Sequence, residues 1–206
     1  MARHHHSNRD ERGMKMAYTA THNEGHVFDL YGDLEDAYEK AKACGETEIV
    51  DTLDAFGLWD DRDQVPAKFF LRAWHAISGN ASQQRELAWC FDRDGGKPKG
   101  ERNPCYDRPQ LAIFWYEKAA KAGDALAQNN LAHIYCTEDD MELWDGRLGA
   151  FWYEKAAAQK LPEGMRGLAR CLECGMCLKD GADPARAKAL FVEAEAIERG
   201  RREEGE

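Results

Sequence analysis

AIFWYEKAA at residues 112–120 and GAFWYEKAA at residues 149–157 are nearly one phrase written twice, with Trp115 and Trp152 spaced 37 residues apart. The likeness runs on downstream. Gly123 is followed eight residues later by Leu131-Ala132, and Lys160 by Leu168-Ala169. Upstream, the segment Leu71 to Ala76 leads to Gly79 and then Leu87-Ala88, while Ala37-Tyr38-Glu39-Lys40-Ala41 leads to Gly45 and Leu53. Ala187 to Ala196 reads as the first helix of one more unit. The equivalent leucines 53, 87, 131 and 168 recur at intervals of 34, 44 and 37 residues, so the chain is an array of repeats.

The repeated phrase has a helical period. Ala112, Trp115, Tyr116, Ala119, Ala120 and Gly123 follow the i, i+3, i+4, i+7 stripe of an amphipathic helix. Trp115 and Tyr116 fill space between helices, and the alanine pair admits a second helix at close range. Gly123 ends the first helix in the left-handed conformation that glycine adopts at least cost. The second helix, Ala125 to Tyr135, returns Leu131, Ala132 and Tyr135 to the first. A lone hairpin of this kind leaves one apolar face uncovered, so neighbours must stack. The expectation is an all-α chain: an α/α superhelical solenoid of stacked antiparallel hairpins, with Trp115, Tyr116, Leu131, Trp152, Tyr153 and Leu168 buried.

These residues also carry a resemblance. The pattern A-x-x-W-Y-E-K-A-A-x-x-G-x-A-x-A-Q-x-x-L-A-x-x-Y, from Ala112 to Tyr135, resembles the Sel1-like repeat, a relative of the tetratricopeptide repeat. Leu172 to Leu178 is similar to the Y-x-x-G-x-G-V turn that closes such a repeat, with Cys177 in place of the second glycine and Lys160 in place of the hairpin glycine. The family implies adaptor and assembly roles, commonly in bacterial proteins.

The spacing places repeat units at about 31–62, 63–108, 109–145 and 146–182, with a closing helix at 183–198, all in one domain from 17 to 198. Residues 17–30 are expected as a short cap. Residues 1–16, polar and histidine-bearing, read as a disordered leader or cloning remnant. The segment 92–110 is rich in Gly, Pro and charge and absorbs the longer 44-residue interval as a loop. The end, ERGRREEGE, has charge without apolar period, so a frayed tail is expected at 199–206.

Composition narrows the function classes. Hydrophobic residues are 43% of the chain and charged residues 32%, which suits a folded domain. The formal net charge of -10 repels a phosphate backbone, so nucleic acid and anionic membranes are poor partners. Neither a membrane span nor a signal peptide is visible in the sequence, and a cytoplasmic location is expected. Seven cysteines, an odd number in a chain of this length, read as intracellular thiols.

Residues with chemical potential have simpler readings. Cys171, Cys174 and Cys177 have a C-x-x-C-x-x-C look, but no fourth ligand follows them. Cys171 also aligns with Cys90 and Ile134, an apolar slot that cysteine fills well. His22 and His26 lack the glutamate that a zinc-protease helix places after its first histidine. His75 aligns with Ala119 and reads as packing against the second helix, His133 reads as lying on a helix exterior, Asp60-Asp61 and Asp139-Asp140 read as solvated turns, and no phosphate-binding glycine loop occurs. No catalytic, metal or cofactor residue is expected, and the chain is not read as an enzyme.

One column is left over by the packing stripe. Phe114, with Glu117 and Lys118 beside it, recurs as Phe151 with Glu154 and Lys155, and as Phe70 with Trp74. First helices usually line the concave face of such solenoids, so these phenylalanines form a candidate ladder for a partner polypeptide; the alternative is packing between repeats. The leading functional expectation is a protein- or peptide-binding scaffold. A second is an immunity-type inhibitor of a toxic effector, where the charge of -10 would steer a basic partner. A third, implied by cysteine-rich relatives, is a β-lactam-binding enzyme. It ranks last, because Thr52 stands where a partner for Cys44 is needed.

Overall fold

The computed structural model describes residues 19–21, 27–55, 67–92, 108–136, 144–175 and 181–204, with the backbone alone for 19–33 and 67–71. The chain divides into two compact units, residues 1–78 and 79–206.

In the first unit, strands β1 (Thr19–Thr21) and β2 (Val27–Asp29) pair antiparallel, with Ala20 opposite Phe28. Thr19, Thr21 and Val27 are β-branched, and such side chains favour extended backbone. This ribbon stands where a cap was expected. It adds two short strands outside the repeats; the other regular elements among the described residues are helices. Helices α1 (Leu30–Cys44), α2 (Thr47–Ala55) and α3 (Ala67–Ile77) follow, with α1 packed on both α2 and α3. Leu34, Ala41, Ile49, Leu53, Ala73 and Ala76 form the core.

Among the described residues, the second unit is a stack of six helices: α4 (Ala81–Phe91), α5 (Pro109–Lys121), α6 (Ala125–Cys136), α7 (Gly146–Ala158), α8 (Pro162–Cys174) and α9 (Pro184–Glu203). Each packs on the next, and α6 also touches α8. The expected core is present: Trp115, Tyr116, Leu131, Trp152, Tyr153 and Leu168 are all buried, with Ala119, Ala132, Ala156 and Ala169 between them. Buried Gln128 donates Nε2 to the Ala120 carbonyl at 3.0 Å, tying the second helix to the end of the first. Its Oε1 accepts from Gln159 at 2.8 Å, which ties this hairpin to the next.

Helix ends follow local chemistry. Asn80, Asp124, Asp145 and Asp183 each accept a backbone N–H of the helix that follows, and Pro109, Pro162 and Pro184 open helices where no amide donor is needed. Gly123 takes the left-handed conformation expected of it (φ 95°). Lys160, its counterpart, is held there too, at φ 59°. Gly175 closes α8 in the same way (φ 68°).

The closing helix was expected to stop at 198 with a frayed tail beyond. It runs instead to Glu203. Glu198 accepts Arg166 of α8 at 2.7 Å, and Arg202 donates back to the Glu198 carbonyl. Arg and Glu are good helix formers without any apolar period, and the ion pair anchors the last turns.

Candidate partner-binding surface

Helical geometry decides what the leftover column can do. In α5 and α7 the packing stripe faces inward, and residue 114 or 151 lies about 100° around the helix from the buried tryptophan that follows it. Phe151 is therefore 45% exposed and Phe114 half-buried. Each ring meets the neighbouring tryptophan edge-on, at 5.0 Å for Phe114–Trp115 and 5.1 Å for Phe151–Trp152. Each also lies under a lysine one turn on: Lys118 Nζ is 5.0 Å from the Phe114 centroid and Lys155 Nζ 5.3 Å from that of Phe151. The ammonium is drawn to the negative face of the ring. Both lysines are exposed, and neither takes part in an ion pair among the described residues.

The two glutamates of the column behave differently. Glu117 Oε1 accepts the Tyr135 hydroxyl of α6 at 3.2 Å, and its Oε2 pairs with Lys121. Burial and the Glu117 carboxylate together push the Tyr135 hydroxyl up to about 12. Glu154 pairs with Arg186 of α9 at 3.1 Å. Both carboxylates are thus engaged inside the chain, and what the column presents outward is aromatic and cationic. The sequence marks Tyr135 as a packing residue and does not mark Arg186; neither pairing is visible in it, because the partners lie 18 and 32 residues away.

Phe70 lies in α3, with its side chain outside the described residues, and Trp74 is half-buried beside His75. Among the described residues, four further large apolar side chains are exposed without any signal in the repeat pattern: Trp89, Leu126, Trp144 and Val192. Cys171 is buried in the core slot assigned to it, Cys174 is exposed, and Cys177 lies outside the described residues. His22 and His26 also lie outside them, His75 is half-buried and His133 is on a helix exterior. Among the described residues, no three His, Cys, Asp or Glu side chains are grouped to hold a metal, and no helix is long and apolar enough to cross a membrane.

The repeat geometry has known counterparts. A Sel1 repeat model matches residues 84–124, 125–161 and 162–195, a continuous span of just over half the chain. Each match begins on or within a second helix; the first two run through the next first helix into the turn after it, and the third ends within α9. No curated protein sequence matches this chain. Two solved structures are similar: a Sel1 repeat protein from Oxalobacter formigenes, at 22% identity, TM-score 0.49, and coverage of 62% of this chain and 88% of that one; and a protective antigen present in uropathogenic Escherichia coli strains displaying an SLR fold, at 26% identity, TM-score 0.51, and coverage of 69% of this chain and 30% of that one. The chain spans less than a third of the second protein's length. With three matched repeats over the helices that build the stack, the chain belongs to the Sel1 repeat family.

Proposed function

We propose that the second unit is a protein- or peptide-binding scaffold whose anchors are the Phe114–Lys118 and Phe151–Lys155 pairs. Sel1 repeat proteins are generally protein-interaction scaffolds, which sets the class. The observation that carries the reading is the recurrence of an accessible phenylalanine under an exposed lysine at one repeat position. Aromatic rings beside charge are the usual anchors of interfaces. The first helices would present these pairs along the concave face, in reach of an extended or helical segment. That segment would carry apolar side chains for the rings and carboxylates for the lysines. Glu117 and Glu154, already engaged, act as struts that hold α5 and α7 rather than as contacts.

The test is selection of peptides on the immobilised chain, followed by affinity measurement on variants. Phe151→Ser should weaken the selected peptides at least tenfold while the melting temperature moves by no more than about 2 °C, because an exposed site leaves no cavity. Peptides that bind Phe151→Ser and Lys155→Ala as they bind the unaltered chain would refute the strip. One observation favours a second reading. The net charge of -10 suits an inhibitor of a single basic effector. A gene for such an effector beside this one, and one tight stoichiometric complex, would support it over an adaptor with several partners.

A further inference from the structure

Where α6 and α8 touch, two cysteines from successive hairpins come side by side. The Cys136 and Cys171 Sγ atoms lie 4.0 Å apart. Cys136 ends α6 and is half-buried, whereas Cys171 is 5% exposed. Gly149 of α7 leaves the room that Cys136 occupies, since a Cβ there would fall on its Sγ. Cys174, one turn beyond Cys171, is exposed and donates to the Cys171 carbonyl at 3.4 Å instead of facing the pair.

We propose that Cys136 and Cys171 form an oxidation-responsive pair that closes to a disulfide and staples the second helices of successive hairpins. A disulfide has its sulfurs about 2.0 Å apart. The gap to close is therefore about 2 Å. The oxidant is a peroxide. The Cys136 thiol, on the more accessible residue, gives up its proton, and its thiolate attacks one peroxide oxygen; the O–O bond breaks to give a sulfenic acid and a hydroxide, which takes up that proton and leaves as water. The Cys171 sulfur then attacks the sulfenic sulfur and expels hydroxide, which leaves as a second water with the proton from Cys171. Two thiols and one hydrogen peroxide thus give one disulfide and two waters. The cross-link closes a span of 35 residues and removes freedom from the unfolded chain. It also fixes the spacing of the hairpins that carry Phe114 and Phe151, although the staple stands whether or not those rings bind a partner.

The full chain, reduced and then exposed to a few equivalents of hydrogen peroxide, is alkylated under denaturing conditions and mapped by mass spectrometry. The expected product has lost two hydrogens, yields a linked peptide pair containing Cys136 and Cys171, and melts roughly 5 °C above the reduced chain. Cys136→Ser, at the half-buried position, should abolish both the link and the rise in melting temperature. Cys174→Ser should leave both in place. A link that joins Cys171 to a different cysteine would overturn the proposal, as would oxidation of Cys136 that leaves Cys171 open to alkylation, or recovery of both thiols unchanged.

Discussion

The α5–α6 and α7–α8 hairpins share the phrase FWYEKAA but complete it with different neighbours. In the first, Tyr116 is fully buried, and its hydroxyl accepts from Asn130 at 3.3 Å and donates to Asp92 at 3.2 Å. In the second, Gly167 stands at the position of Asn130, and the Tyr153 ring occupies the space a Cβ would take. The first turn is built from Gly123 and the capping Asp124; the second from Lys160, Leu161 and Pro162. Tyr135 donates its hydroxyl to Glu117 in the first, and its counterpart in the second is Leu172, which has no hydroxyl to offer. Glu154 turns to Arg186 instead. The apolar stripe is thus set by helical period alone, while each polar group settles with whatever its own neighbours supply.

The largest expected effect tests the shared stripe. Trp115→Ala should cost about 3–5 kcal/mol, as a large-to-small change in a packed core. Trp152→Ala should fall at the lower end of that range. Trp152 is 9% exposed against 0% for Trp115, and its buried indole N–H has no acceptor among the described residues. An unmet buried donor already subtracts from the stability that the ring contributes. Denaturant titration of the two variants checks this, and a larger loss at 152 than at 115 would break the comparison.

How much of this was legible follows from where the information lies. The stripe, the hairpin glycines and the six buried anchors depend on residues within one or two turns of each other, and sequence spacing reports them directly. The Phe–Lys stacking is also local, one turn apart on a helix. The engagement of Glu117 and Glu154 is not visible in the sequence, because Tyr135 and Arg186 reach them from other helices. The continuation of α9 past 198 was missed for a related reason. The ion pair from Arg166 lies 32 residues back, and no apolar period announces it. The ribbon at 19–29 lies outside the repeat, so the repeat could not foretell it.

A smaller effect separates the two turns. Gly123→Ala should destabilise the chain by about 1 kcal/mol, because an L side chain is strained at φ 95° even though open space surrounds a Cβ there. Lys160→Gly should do the opposite and stabilise by up to about 1 kcal/mol, less whatever the exposed Lys160–Glu193 pair contributes. Thermal melts of both variants give the two signs. Equal and negligible shifts would mean that the turns tolerate strain alike, and the contrast drawn between them would fail.

The smallest effect concerns Tyr135, and it appears as a pH dependence. Its hydroxyl titrates at about 12 in the folded chain, raised chiefly by burial and then by the Glu117 carboxylate. An unfolded tyrosine titrates near 10. The folded state therefore favours the neutral phenol. Its contribution is complete below about pH 10 and is lost as the pH rises from there through about 12, because the unfolded chain ionises first. Tyr135→Phe removes this group and the hydrogen bond to Glu117. Near neutral pH the variant should melt slightly below the unaltered chain, since a partly exposed hydrogen bond contributes little. Between pH 10 and 12 the unaltered chain should lose stability faster, and the two melting curves should converge. The α7–α8 hairpin supplies the control: Leu172→Ala should shift the melting temperature by an amount that does not change across this interval. A gap between Tyr135→Phe and the unaltered chain that stays constant up to pH 12 would show that the phenol is not held neutral by its place against Glu117.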